Sequence, residues 1–220
     1  MAFIIPAILF TQALLILPFY FGKEGLLPVW KAVAGLADTY PVISMNAFNM
    51  WYWIEGNNFS SDNVPSLLGL TYYQIGLISF CFASAIAMWP VLRHTLKTLS
   101  KRNTPPLSRV TIWLTAALVM LVFFFFSTRM HERYSHAAFI FITAYAFYHR
   151  KFGLYALFSL AYLLNLDKVV RALRIASYDT LIFDPRFVAA LYAICILWAG
   201  ILLYRQERND RPQEAAYPAV

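Results

Sequence analysis

The chain has 220 residues, of which 60% are hydrophobic and only 13% charged, with a mean hydropathy of +0.58. That mix excludes an ordinary soluble domain and predicts a polytopic membrane protein. The net charge of +7 falls largely in short loops between apolar runs, so it reads as a topological signal that also attracts anionic lipid, and nucleic acid is not an expected partner.

Residues 2–21 form the first apolar run. They lack the basic start and small-residue cleavage site of a secretory signal, and a retained spanning helix is expected there. Residues 26–36, with Leu26, Leu27, Val29 and Trp30, predict an external helix lying along the interface with its indole at headgroup depth. Further apolar runs cover about residues 68–92, 110–127, 137–148, 152–166 and 187–204. The predicted fold is therefore all-α: a single membrane helical bundle over residues 1–204 with about six spans, followed by a polar tail at 205–220. Two of the runs are short for a hydrocarbon layer of roughly 30 Å, and the fourth is expected to borrow residues 131–136 as its first turns.

Orientation follows from the basic loops. Arg93, Lys97, Lys101, Arg102 and Arg109, and later Arg150 with Lys151, assign their side to the cytoplasm. Both termini then lie inside, and residues 22–67, 129–136 and 167–186 share the outer face. Cys81 and Cys195 fall within spans and behave as small hydrophobes.

The most informative stretch follows the third run, where Arg129, His131, Glu132, Arg133 and His136 crowd the end of a spanning helix. Charge there is expensive beside hydrocarbon, which makes the cluster a functional-site hypothesis. Continued as a helix, it would place Arg129, Arg133 and His136 on one face by i, i+4, i+7 spacing, and guanidinium forks suit phosphate oxygens. The plainer alternative is an anchor in the headgroup zone, with Glu132 paired to Arg129 or His136. His131 and His136 lie far apart around a helix of about 3.6 residues per turn, so neither a shared metal nor another cofactor is expected. Farther along, Asp167, Arg171 and Arg174 fall on one helical face, either extending a phosphate-binding pocket or binding acceptor, or with Asp167 and Arg171 as an exposed ion pair.

A second signature precedes these. Asn46 and Asn49, three apart beside Trp51, Tyr52 and Trp53, offer amides next to aromatic walls, a pairing that suits sugars; an aromatic belt with structural asparagines fits the same residues. The run Asn46-Ala47-Phe48-Asn49-Met50-Trp51, followed by Thr128-Arg129-Met130-His131-Glu132-Arg133-Tyr134, resembles the C-terminal half of the GT-C superfamily of integral-membrane glycosyltransferases, particularly bacterial mannosyltransferase-like members. The resemblance covers roughly residues 26–204. It implies a polyprenyl-phosphate sugar donor used on the external face of a bacterial inner membrane. It further implies that Arg129, His131 and Arg133 contact the donor phosphate, that Glu132 orients them, and that Asn46, Asn49, Trp51, Arg171 and Arg174 serve sugar or acceptor.

The chain departs from that pattern in its acid. Such enzymes carry a catalytic carboxylate in an early external loop, and here Glu24 and Asp38 stand in no matching context, Asp38 being the better candidate for a general base. Either a second polypeptide supplies the missing half, or the chain is shortened, or it is a GT-C-derived subunit that binds lipid or scaffolds a membrane complex without chemistry. A transporter is a further class, but the charges gather at one interface and no internal repeat is visible.

Overall fold

The computed structural model describes residues 4–21, 25–35, 40–55, 59–100 and 106–215. Glu24, Asp38, Lys101 and Arg102 lie outside these, so the expectation for Asp38 is not addressed by the structure. The chain forms two compact units, Met1–Pro41 and Val42–Val220.

The first unit contains α1 (Ile4–Tyr20) and α2 (Leu27–Gly35). Side chains such as Ile8, Leu9, Phe10, Leu14 and Leu15 are exposed along α1, as in a helix whose surroundings are hydrocarbon. The helix expected along the interface forms as α2, with Trp30 exposed.

The second unit is built from α4 (Tyr72–Ser100), α5 (Arg109–Phe126), α6 (Ala138–His149), α7 (Gly153–Val170) and α8 (Pro185–Ala215). Two strand segments, β1 (Ser44–Met45) and β2 (Met130–His131), and one short helix, α3 (Trp51–Ile54), complete it. Among the described residues, four helices are long and apolar enough to cross a membrane: Tyr72–Ser100, Arg109–Phe126, Gly153–Val170 and Pro185–Asn209. At about 1.5 Å per residue, the 12 residues of α6 fall well short of the bilayer core. The predicted tail is helical over its first part, because α8 runs on through residues 205–215.

Helix α5 is the centre. It packs against α4, α6 and α8, and α7 packs against α6 and α8. Its buried side chains, among them Leu114, Ala117, Leu121 and Phe124, occur all around the helix, as expected for an element enclosed by neighbours. Near its end α4 approaches closely at Gly76, where a Cβ would lie 2.9 Å from the Phe126 carbonyl oxygen and 3.1 Å from the Trp51 ring. Alanine is intrinsically the better helix former by about 1 kcal/mol, yet Gly76→Ala is expected to destabilise the protein by about 1–3 kcal/mol through overpacking. Unfolding in mixed micelles measures this; a more stable variant would show that the helices tolerate separation there.

Helix α4 carries a proline mid-span. Pro90 has no N–H to give to the carbonyl of Ile86, and the Tyr204 hydroxyl of α8 donates to that carbonyl at 2.7 Å. A freed backbone acceptor in a spanning helix is thus satisfied by a neighbouring helix. One turn farther, Arg93 of α4 meets Glu207 of α8 at 2.6 Å.

Candidate functional site

The end of the bundle where α5 and α7 finish and α8 begins holds nearly all of the sequence-predicted site residues. Helix α5 stops because its last carbonyls find partners outside the helix. The Asn49 amide donates to the Phe124 and Ser127 oxygens at 3.1 and 3.4 Å. The Met50 N–H donates to Phe125 O at 3.3 Å. The Trp51 indole N–H is shared between the Phe126 and Ser127 oxygens at 3.1 and 3.2 Å. Asn49 also accepts from the Trp51 N–H at 3.2 Å. Both side chains are buried, at 0% and 1% exposure. Their work in this structure is to cap α5, and neither is presented to a ligand.

Asn46 and Phe48 are held from the other side. Asn165 of α7 is fully buried; its amide donates to Asn46 O at 2.8 Å and its oxygen accepts from Phe48 N at 3.1 Å. Asn46 has a left-handed φ of 61°, a conformation asparagine adopts more readily than most residues. The expected helical face shared by Asn46 and Asn49 does not form, because the segment is pinned in an extended path before α3.

β1 and β2 join the two signatures. They pair in parallel, Ser44 with Met130 and Met45 with His131, and Asn46 also bridges to His131. The stretch after α5 is thus not helical, and the proposed face of Arg129, Arg133 and His136 is replaced by a bend, a strand and a 3-10 turn at Tyr134–Ala137. Only that single turn leads into α6. The physical cause is Asp62. Its carboxylate, with a side chain 0% exposed, accepts from Thr128 Oγ1 at 2.8 Å, Arg129 Nε at 2.7 Å and Arg129 Nη2 at 3.2 Å. The guanidinium also lies 4.5 Å from the Tyr73 ring centroid. Arg129 takes a φ of 62°, and its N–H points to the oxygens of Val42 and Ile43. Neither partner expected for Glu132 is the one found: its carboxylate sits 3.7 Å from His131 Nδ1. Arg133 is exposed.

The third group surrounds the end of α7. Asp167, Arg171 and Arg174 do not share a helical face, since α7 ends at Val170 and both arginines are left-handed, with φ of 55° and 48°. Asp167 is buried rather than exposed: it accepts from Leu173 N and the Tyr178 hydroxyl, both at 2.9 Å. Burial, reinforced by that bond to Asp167, holds the Tyr178 hydroxyl above its ordinary pKa of 10.0. The folded state therefore favours the neutral phenol, and this contribution is full below about pH 10 and fades as pH rises past it. Lys168 Nζ donates to Tyr178 O at 2.5 Å and approaches Asp179 at 3.4 Å.

Between these elements lies a cavity of about 690 Å³, lined by Asn46, Phe48, Lys168, Arg171, Asp184 and Arg186 among others. Asp184 caps α8, accepting from the N–H groups of Arg186 at 2.8 Å and Phe187 at 3.3 Å, with Pro185 at the first helical position. Three cations and the single carboxylate of Asp184 thus face one space, and the net positive lining favours an anion. Asp62, Asn165 and Arg186 were not singled out from the sequence. The Asp184-Pro185 pair is a helix-start signal, and a polar Asn165 inside an apolar run invites an interhelical partner; Asp62 carries no comparable local sign. No group of three or more His, Cys, Asp or Glu side chains among the described residues is placed to hold a metal. Comparison with known protein families, curated proteins and solved structures finds no match to this chain.

Proposed function

We propose that this chain is a membrane glycosyltransferase, or the part of one that binds a polyprenyl-phosphate sugar donor, passing a mannose-like hexose to an acceptor on the external face of a bacterial inner membrane. The observation that carries this reading is the pairing of the Asn46 and His131 segments beside a cavity bearing Lys168, Arg171 and Arg186. An apolar carrier would lie along the lipid-facing helices with its phosphate among these cations. Arg and Lys side chains stabilise the charge that grows on a departing phosphate as its bond to the sugar breaks. His131 is tied to the cavity-lining Asn46 by their backbone bridge, Glu132 and Arg133 follow it in the chain, and Arg129 contributes by holding β2 in place. The opposite end of the bundle carries Arg93, Lys97, Arg109, Arg150, Lys151, Arg205 and Arg208, which supports a cytoplasmic assignment for that end.

The acceptor's proton needs a base, and Asp184, the carboxylate that lines the cavity, is engaged as a helix cap. This favours the second reading, a GT-C-derived lipid-binding or scaffold subunit, over a cavity in which Asp184 itself serves as the base.

Arg171→Gly gives a clean test, because glycine accepts the left-handed backbone at no steric cost and stability is expected to change by less than about 1 kcal/mol. In nanodiscs, its affinity for a polyprenyl monophosphate should fall about tenfold or more. Unchanged affinity would remove the cavity from the argument. Hexose transfer from a polyprenyl-phosphate hexose in proteoliposomes then separates the readings: turnover supports the enzyme, and binding without turnover supports the subunit.

A further inference from the structure

The segment leading into α4 closes a tight hairpin. Pro65 bridges to Thr71, the Ser66 N–H donates to Leu70 O at 2.7 Å, and the Leu70 N–H donates to Leu67 O at 3.0 Å. Turns that face water favour Gly, Pro, Asn, Asp and Ser, yet the tip of this one presents Leu67 and Leu68, 66% and 91% exposed, with Val64 exposed beside them. No Asp, Glu, Lys, Arg or His occurs between Asp62 and Arg93. We infer that the hairpin is a lipid anchor, with Leu67 and Leu68 entering the boundary between headgroups and acyl chains in the leaflet where α4 begins. The anchor goes beyond the cavity and does not depend on what the cavity binds.

Depth is the first support. A hydrocarbon layer of roughly 30 Å takes about twenty helical residues. Counted back from Arg93 on α4, the layer ends near Tyr73, and counted back from Arg205 on α8 it ends near Pro185. The two helices share one level at the basic end, where Tyr204 meets Ile86 and Arg93 meets Glu207, so a single slab serves both counts. Tyr72 and Tyr73 then stand where an aromatic belt is expected. Four residues separate Leu68 from Tyr72 and span at most about 14 Å, so the tip is tethered within reach of a headgroup layer about 5–7 Å thick.

The backbone is the second support. Leu68 and Gly69 both have left-handed φ, 55° and 77°, a region that glycine adopts freely and leucine only at a cost. The Leu68 side chain gains almost no packing from the protein in return, and hydrocarbon is the environment that removes it from water. The size of the patch selects lipid over a protein partner: three side chains of one turn fall well short of the roughly 800 Å² per partner that a stable protein interface buries, whereas a bilayer accepts leucines singly. The anchor also bears on the bend after α5. Tyr73 N–H donates to Asp62 O at 3.0 Å and Tyr72 N–H to Val64 O at 3.4 Å, so a tip held in lipid steadies the residue whose carboxylate grips Thr128 and Arg129.

The test uses the full chain in phosphatidylcholine nanodiscs and reads paramagnetic broadening of NMR signals, with either a phosphatidylcholine carrying a nitroxide high on its acyl chain or a soluble gadolinium chelate. The Leu67 and Leu68 methyl signals should broaden at least about twofold more with the lipid nitroxide than with the chelate. The double variant Leu67→Ser, Leu68→Gly removes two exposed side chains and suits the left-handed backbone. Lipid-induced broadening of the Ser66 and Gly69 amides should fall about twofold or more in it, and in part in each single variant. Stronger broadening by the chelate overturns the anchor, and so does protection from both reagents, which would assign the tip to a second copy or another chain. Unchanged lipid broadening in the double variant also overturns it, because α4 rather than the leucines would then set the position of the turn.

Discussion

Asp62→Ala is expected to lower the stability of the protein by about 3–5 kcal/mol, the range for breaking a buried ion pair from one side. The carboxylate is fully buried and receives three hydrogen bonds from Thr128 and Arg129. Its removal takes from a guanidinium that is 13% exposed the carboxylate it meets at 2.7 Å, in a backbone conformation that already opposes it. SDS-induced unfolding in mixed micelles measures the loss, and a change below about 1 kcal/mol would show that the pair is no stronger than one at a surface. The double variant Asp62→Ala, Arg129→Gly should recover part of the loss, since the charge parted from Asp62 and the left-handed strain vanish together. Amide exchange at Met130 and His131 should rise in the single variant, because this pair fixes the turn that brings β2 against β1.

Asn165→Leu has the next largest expected effect. The substitution keeps the volume of a buried side chain but strips partners from the Asn46 carbonyl and the Phe48 N–H, each an unsatisfied group costing about 1–3 kcal/mol. A loss of about 2–4 kcal/mol is expected in the same unfolding assay. The consequence reaches the site, because Asn46 and Phe48 line the cavity. Ligand affinity should therefore fall even at temperatures where the variant remains folded. A destabilised variant with unaltered affinity would show that Asn165 supports the helices but not the cavity.

Much of the bundle was legible in its apolar runs, since a spanning helix is specified by composition over a long window. The neighbourhood of the Asn46 and His131 signatures was legible too, by placing the basic loops at the opposite end. What could not be read was local geometry set by distant partners. Helical spacing put Arg129, Arg133 and His136 on one face, but Asp62, far away in sequence, bends the chain after Ser127. The same spacing joined Asp167 to Arg171 and Arg174, although α7 ends at Val170 and two arginines stand in left-handed positions where glycine would have announced the stop. Asn49 and Trp51 looked like a sugar-binding pair because amides and indoles suit either role; only the positions of the α5 carbonyls assign them to capping.

The proline repair between α4 and α8 has a mechanical consequence. Sliding α8 by one turn, about 5.4 Å, would carry Tyr204 away from Ile86 and strand a bare carbonyl in hydrocarbon, while also parting Arg93 from Glu207. The two helices are thereby latched along their axes near the basic end. Since α8 begins at Asp184, Pro185 and Arg186, a latch at one membrane surface sets the depth of a cation at the other.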